Sequence, residues 1–268
     1  MTQEGTAPEE KVPEEVPVEQ KPAGPQLDIV KASGQAPYLK VLIYGPPGVG
    51  KTVLAGTAAR SKVLSPVLFA DSEAGTLSLK DDIDIVRITD FPTLGKMVNY
   101  LRKGDHGYKT IVVDSLSEAQ KIIMRFVIAE AIKSDPKHDK DLPYQQDWYR
   151  NSELVRRVVR AFRDLPMHVI FTALDKEIKD DTTGAVMFAP MLPGQLAGEI
   201  PGYFDIVGYL TVQQVEGNVV RRLVVQPTPM IMAKDRSDSL GSYIDNPELS
   251  SIVKRVMEKR KQLKGEQA

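Results

Sequence analysis

The sequence predicts an α/β fold: a mostly parallel sheet flanked by helices, with a C-terminal antiparallel hairpin. Three observations carry this. Short apolar runs alternate with stretches of helical spacing, the pattern of strands covered on both faces. The first run leads straight into Gly45-Pro46-Pro47-Gly48-Val49-Gly50-Lys51-Thr52, which fits Gly-x-x-x-x-Gly-Lys-Ser/Thr, and a helical stretch follows. Two strand-like runs near the C-terminus meet at Glu216-Gly217-Asn218, a hairpin signal.

Residues 1–26 are acidic and proline-rich, with few large apolar side chains, and predict a disordered tail. Residues 27–268 predict a single domain. Leu39 to Tyr44 reads as the first strand and Thr52 to Arg60 as helix. Pro66 to Ala70 and Ile83 to Ile88 read as strands. Phe91 to Arg102 has helical spacing, with Leu94, Val98 and Leu101 on one side. Lys109 to Ser115 is a strand ending in a carboxylate, and a helix runs from Ala119 to Ile132. Residues 133–147 are charged, hold two prolines and read as loop. Trp148 to Asp164 reads as helix and His168 to Ala173 as strand. Asp180 to Gly202 is rich in Gly, Pro and Thr and reads as one long loop. Asp205 to Val215 and Val219 to Gln226 form the hairpin, and a helix from Pro247 to Gln262 ends in basic residues that suit its dipole.

Composition narrows the chemistry. The chain has 268 residues, 42% of them hydrophobic, enough for a sizeable core. Its formal net charge is −1, so any contact with nucleic acid has to use local patches. There is no cysteine, which excludes disulfides and thiolate metal sites, and three scattered histidines argue against zinc. The N-terminus is unlike a signal peptide, and no apolar run reaches the ~20 residues of a membrane span. A soluble, cytoplasmic protein without membrane contact is the expectation.

The motif at 45–52 predicts a nucleoside triphosphate site. Glycines let the backbone curl so that several N–H groups face one anion. A helix N-terminus adds partial positive charge. Lys51 is expected to reach the β- and γ-phosphates, and the Thr52 hydroxyl to hold Mg²⁺. Asp114 ends an apolar strand, where a carboxylate can hold Mg²⁺ or cap the following helix. Glu73 ends the strand after the phosphate loop, a strand expected to lie beside the first. It is either the carboxylate that orients water for hydrolysis or a solvated turn residue. Lys234 and Arg236 are either cations for a transferring phosphate or surface charges. Residues 133–150 mix Lys133, Lys137, Lys140 and Arg150 with Tyr144, Trp148 and Tyr149, a combination suited to single-stranded nucleic acid. Alternatively the aromatics dock on the core. Asp135, Asp139, Asp141 and Asp147 dilute the positive field.

Together these segments resemble the RecA-like ATPases, and among them the small phage-type nucleotide-binding proteins of single-strand annealing and recombination. Residues 45–52 carry the resemblance with Phe69 to Gly75, Ile111 to Ser115, Val169 to Ala173, Leu192-Pro193-Gly194, Pro201 to Asp205 and Lys234-Asp235-Arg236. It spans Tyr38 to Met257. It implies an ATPase using ATP and Mg²⁺, with Glu73 as the catalytic glutamate. It places residues 133–150 and 180–202 where RecA has its DNA-binding loops, and Lys234 and Arg236 near a neighbour's nucleotide. The implied partners are single-stranded DNA, further copies of the chain in a ring or filament, and a single-strand DNA-binding protein. One departure stands out: Leu174 falls where the family carries a polar phosphate sensor, leaving Thr172 or Asp175 to substitute or the coupling weakened. An ATP-switched loader or assembly factor without DNA contact is the other reading. A small-molecule phosphotransferase lacks an Arg-rich lid, and a GTPase lacks Asn-Lys-x-Asp.

Overall fold

A computed structural model describes residues 38–179, 184–263 and 265. The expected tail at 1–26 lies outside them. The strands are β1 (Lys40–Gly45), β2 (Val67–Asp71), β3 (Asp84–Arg87), β4 (Thr110–Asp114), β5 (His168–Lys179), β6 (Val186–Pro190), β7 (Ile206–Val215), β8 (Asn218–Val224), β9 (Lys234–Asp235) and β10 (Tyr243–Asp245). The helices are α1 (Lys51–Gly56), α2 (Phe91–Lys103), α3 (Leu116–Ser134), α4 (Gln145–Arg163), α5 (Leu196–Glu199) and α6 (Leu249–Leu263).

The apolar strands alternate between two cores, which is why they carry almost no polar residue. On one face Leu42, Tyr44, Ile111, Val113, Val169 and Phe171 pack with the buried sides of α2, α3 and α4. On the other Val41, Ile43, Val67, Phe69, Val112 and Ile170 pack with α1 and α6. A strand covered on both sides needs apolar residues at every position.

The sheet runs β10–β8–β7–β1–β5–β4–β2–β3, with β6 on β5 and β9 on β7. From β7 to β3 the pairings are parallel. The β7–β8 pair is antiparallel and closes on Glu216-Gly217, both with positive φ (51° and 79°), the backbone of a tight hairpin turn. The fold class read from the sequence holds in its architecture: a mostly parallel sheet flanked by helices with a C-terminal antiparallel hairpin.

Two expectations fail. The strand bearing Glu73 does not lie beside β1, because β5 and β4 stand between β1 and β2. Local pattern identifies a strand but not its neighbour. The segment 180–202 is not one loop either. Val186 to Pro190 pairs antiparallel with an extended β5, from Asp175↔Pro190 to Lys179↔Val186, and α5 follows. Gly184 and Pro193 at its flanks gave this short strand a loop-like composition.

Candidate active site

Parallel strands present their carboxyl ends along one edge, and the phosphate loop lies there. Gly45 passes the backbone of β7 so closely that a Cβ would stand 2.2 Å from the Leu210 carbonyl oxygen. Gly48 and Gly50 adopt φ of 75° and 103°, the left-handed region that glycine enters freely. From β8, Arg221 Nε donates to the Val49 carbonyl at 3.1 Å and braces the loop.

Lys51 opens α1 and is buried. Its Nζ donates to the carbonyls of Gly45 (2.9 Å) and Pro46 (2.8 Å). Burial lowers its pKa, while the charges of Glu73, Asp114 and Asp175 push the other way.

Thr52 Oγ1 donates to Asp114 Oδ2 at 2.8 Å. The fully buried Thr172 of β5 donates to the other oxygen, Oδ1. β5 lies between β1, which leads into the phosphate loop, and β4, which ends in Asp114, and Thr172 spans that gap. Burial raises the Asp114 pKa, offset in part by the bonds from Thr172 and Thr52, and Glu73 and Asp71 raise it further. A carboxylate starved of solvation beside a threonine hydroxyl fits Mg²⁺, which takes one or two carboxylates and fills its remaining positions with water and phosphate oxygens. Capping α3 falls to Ser115, whose Oγ accepts from Glu118 N.

Glu73 reaches this group from β2, the strand next to β4, through the turn that follows it. Its Oε1 accepts from Ser115 Oγ. Ser72 Oγ accepts from Ser115 N at 2.9 Å and donates to the Asp114 carbonyl at 3.0 Å, which stitches the turn to the end of β4. Asp71 Oδ1 accepts from the amides of Glu73, Ala74 and Gly75. Asp71, Ser72 and Arg221 are site residues that the sequence reading did not single out, and Thr172 it named only as a candidate phosphate sensor, not as a partner of Asp114. Asp71-Ser72-Glu73-Ala74-Gly75 carries the signal of an Asx turn, from which Asp71 was recoverable.

Leu174, where the resemblance leads one to expect a polar sensor, has its N–H donating to Ser117 Oγ at 3.0 Å. Asp175, one residue on, accepts from Tyr209 Oη at 3.2 Å.

Lys234 and Arg236 are not brought to Lys51. β9 pairs with the start of β7, in register with Val41, at the opposite end of the sheet from Gly45. Lys234 Nζ donates to the carbonyls of Pro201 (3.1 Å) and Gly202 (3.3 Å), and Arg236 pairs with Asp205 at 3.3 Å. Leu142 and Tyr144, between α3 and α4, and Trp148 and Tyr149, in the first turns of α4, are exposed. Beneath them His138 is buried, its Nε2 2.8 Å from Asp147 Oδ2.

Beside the loop, on the side away from Asp114, a cleft of about 430 Å³ is lined by Gly50, Val53 and Leu54 and by Arg221, Asn246 and Pro247. Among the described residues no helix is long and apolar enough to cross a membrane.

This edge, with its phosphate loop, buried aspartate and intervening β5, defines a P-loop nucleotide-binding domain. The chain belongs to the AAA domain family AAA_24, whose model matches residues 38–237. Among solved structures it is similar to the flagellar accessory protein FlaH from Methanocaldococcus jannaschii, at 11% identity over 79% of this chain and 87% of that one, with a TM-score of 0.42. It is also similar to a KaiC-like protein from the hyperthermophilic archaeon Pyrococcus horikoshii OT3, at 14% identity over 69% and 77%, with a TM-score of 0.37. No curated protein matches the chain.

Proposed function

We propose that this protein binds ATP at residues 45–52, hydrolyses it to ADP and phosphate, and uses the cycle to act on single-stranded DNA in recombination or annealing. The observation that carries the reading is the meeting of Lys51, Thr52, Asp114 and Glu73 at one edge of the sheet, with Thr52 2.8 Å from Asp114. Lys51 exchanges the Gly45 and Pro46 carbonyls for the β- and γ-phosphates. The nucleoside runs into the cleft beside Arg221. Thr52 and Asp114 hold Mg²⁺, which when bound neutralises charge on the phosphates. Glu73, held by Ser115, orients the attacking water. The exposed Tyr144, Trp148 and Tyr149 stack on bases. Lys234 and Arg236, remote from their own loop, serve a neighbour's nucleotide in a ring or filament.

The test is ATP turnover with Mg²⁺, with and without single-stranded DNA, over a range of protein concentrations, alongside a DNA titration against salt. Lys51→Ala is expected to weaken ATP binding about tenfold to a hundredfold, the scale of a hydrogen bond to a charged group. Turnover per subunit is expected to rise with protein concentration. Wild-type protein without ATP turnover would sink the enzyme reading. Turnover without DNA binding at low salt would favour a loader or assembly factor that touches no DNA. The net charge of −1 is the observation that supports that second reading.

A further inference from the structure

Between β4 and the sheet edge lies a carboxylate that none of the expected chemistry uses. Asp71 ends β2, in register with Asp114 on one side and Arg87 on the other. It is 1% exposed. Its two oxygens do different things. Oδ1 gathers three successive amides, those of Glu73 (3.1 Å), Ala74 (2.9 Å) and Gly75 (3.4 Å). The curl they make puts Ala74 at φ 62°, a conformation an alanine does not choose unaided. Oδ2 is the one buried side-chain oxygen or nitrogen among the described residues that makes no hydrogen bond. Its contact is an ion pair: Arg87 Nη1 lies 3.1 Å away, on a side chain 56% exposed at the edge strand.

Burying a carboxylate with one oxygen short of hydrogen bonds is costly, and an asparagine could close an Asx turn without a charge. The turn it closes is the one that delivers Glu73. Ser72 ties the middle of that turn to Asp114 and Ser115. The Glu73 carboxylate ends on Ser115 Oγ.

We propose that Asp71, locked by Arg87, is a positioning residue for hydrolysis: it sets the backbone of residues 73–75 so that Glu73 faces the nucleotide beside Asp114. The proposal rests on the reading of Glu73 as the water-orienting carboxylate. Asp71 touches neither nucleotide nor water, and it acts only through Glu73.

The test is a double-mutant cycle in single-turnover ATP hydrolysis, with the Kd for Mg·ATP and the melting temperature measured on every variant. Asp71→Ala is expected to lower the hydrolysis rate about a hundredfold, the scale of a small misplacement of a reacting group. The ATP Kd is expected to stay within about twofold, the tolerance of independent sites. In the Glu73→Gln background, Asp71→Ala is expected to cost no more than that same factor of about two. Arg87→Gln removes the lock from the surface without opening the core, and is expected to cause a smaller loss of rate with the same unchanged Kd. Asp71→Asn keeps the acceptor oxygen and is expected to fall between wild type and Asp71→Ala. Equal losses in the two backgrounds, an ATP Kd that weakens in step with the rate, or a wild-type rate in Arg87→Gln would each overturn the proposal. If Glu73→Gln alone turns over like wild type, the reading of Glu73 falls first, and the single variant shows it without any Asp71 data.

Discussion

The carboxyl edge of the sheet and the α3–α4 connection both gather charged residues, and they hold them in opposite ways. At the edge the chemistry faces inward. Thr52 and Thr172 bond to Asp114, Ser115 to Glu73, and Lys51 to two carbonyls. In the connection a single buried pair, His138 and Asp147, supports a surface from which Trp148 and Tyr149 project. Side chains locked by packed strands suit chemistry on a small ligand, where a misplacement of an ångström is expensive. Projecting aromatics suit a long ligand that tolerates slack. The sheet that forms this edge and the connection each carry one buried histidine, at the amino end of β5 and beneath the start of α4 respectively, and the two respond to pH with opposite sign.

The largest effect is expected at the edge. Glu73→Gln keeps the shape and removes the charge, so ATP binding should persist while hydrolysis slows by at least about a hundredfold, the lower end for acid–base roles. Hydrolysis near the wild-type rate would reduce Glu73 to a turn residue and remove the contrast between the two regions.

At the amino end of the same strands, His168 opens β5 and its Nδ1 accepts the Leu39 amide at 3.1 Å, tying β5 to β1. Burial, with the Lys40 charge, lowers its pKa to about 4. The folded state therefore favours neutral imidazole. This contribution is complete above the ordinary value near 6.5 and is lost as pH falls towards 4. Across that window the loss is on the order of 3 kcal/mol. Urea unfolding at pH 7 and pH 4.5 should show wild type losing more stability than His168→Asn. Equal losses would mean that the imidazole is solvated.

Which of this was legible in the sequence follows from how local each cause is. The phosphate loop reads directly, because glycine torsions, Lys51 and Thr52 are consecutive. Asp114 reads because it ends an apolar run. The neighbour of β2 does not read, since strand order is decided by which helices cover which face. Thr172 reads as a candidate sensor, but its role on Asp114 does not read. Its bond to Asp114 exists because β5 stands between β1 and β4. β6 was hidden because pairing with β5, not its own composition, makes it a strand.

A smaller effect is expected in the connection. Trp148→Ala and Tyr149→Ala should each weaken single-stranded DNA binding by about 1–3 kcal/mol, the usual worth of one stacked base. ATP turnover without DNA should be unchanged, because neither side chain contacts the phosphate-loop group. DNA affinity indifferent to both substitutions would move the DNA surface elsewhere or remove it.

The smallest effect reverses the sign seen at His168. Burial pulls the His138 pKa down, but the hydrogen bonds to the Asp139 carbonyl and to Asp147, with the charges of Asp147 and Asp135, more than offset it, and the result is raised. A raised value means that the folded state holds the proton more tightly than the unfolded one. The stabilisation is then complete below about 6.5 and fades as pH climbs through the higher folded value. The pair ties the loop to α4, since Asp147 Oδ2 also accepts the Tyr144 amide at 2.7 Å and the His138 and Tyr144 rings lie 4.2 Å apart. Raising the pH should therefore loosen the connection while leaving the sheet intact. Trp148, the chain's one tryptophan, follows Asp147 directly, so its fluorescence reports on this locally. Its emission should shift across the alkaline limb in wild type and stay flat in His138→Gln, with amide exchange at 138–144 rising in parallel. An identical pH response in both proteins would show that the His138–Asp147 pair does not control the connection.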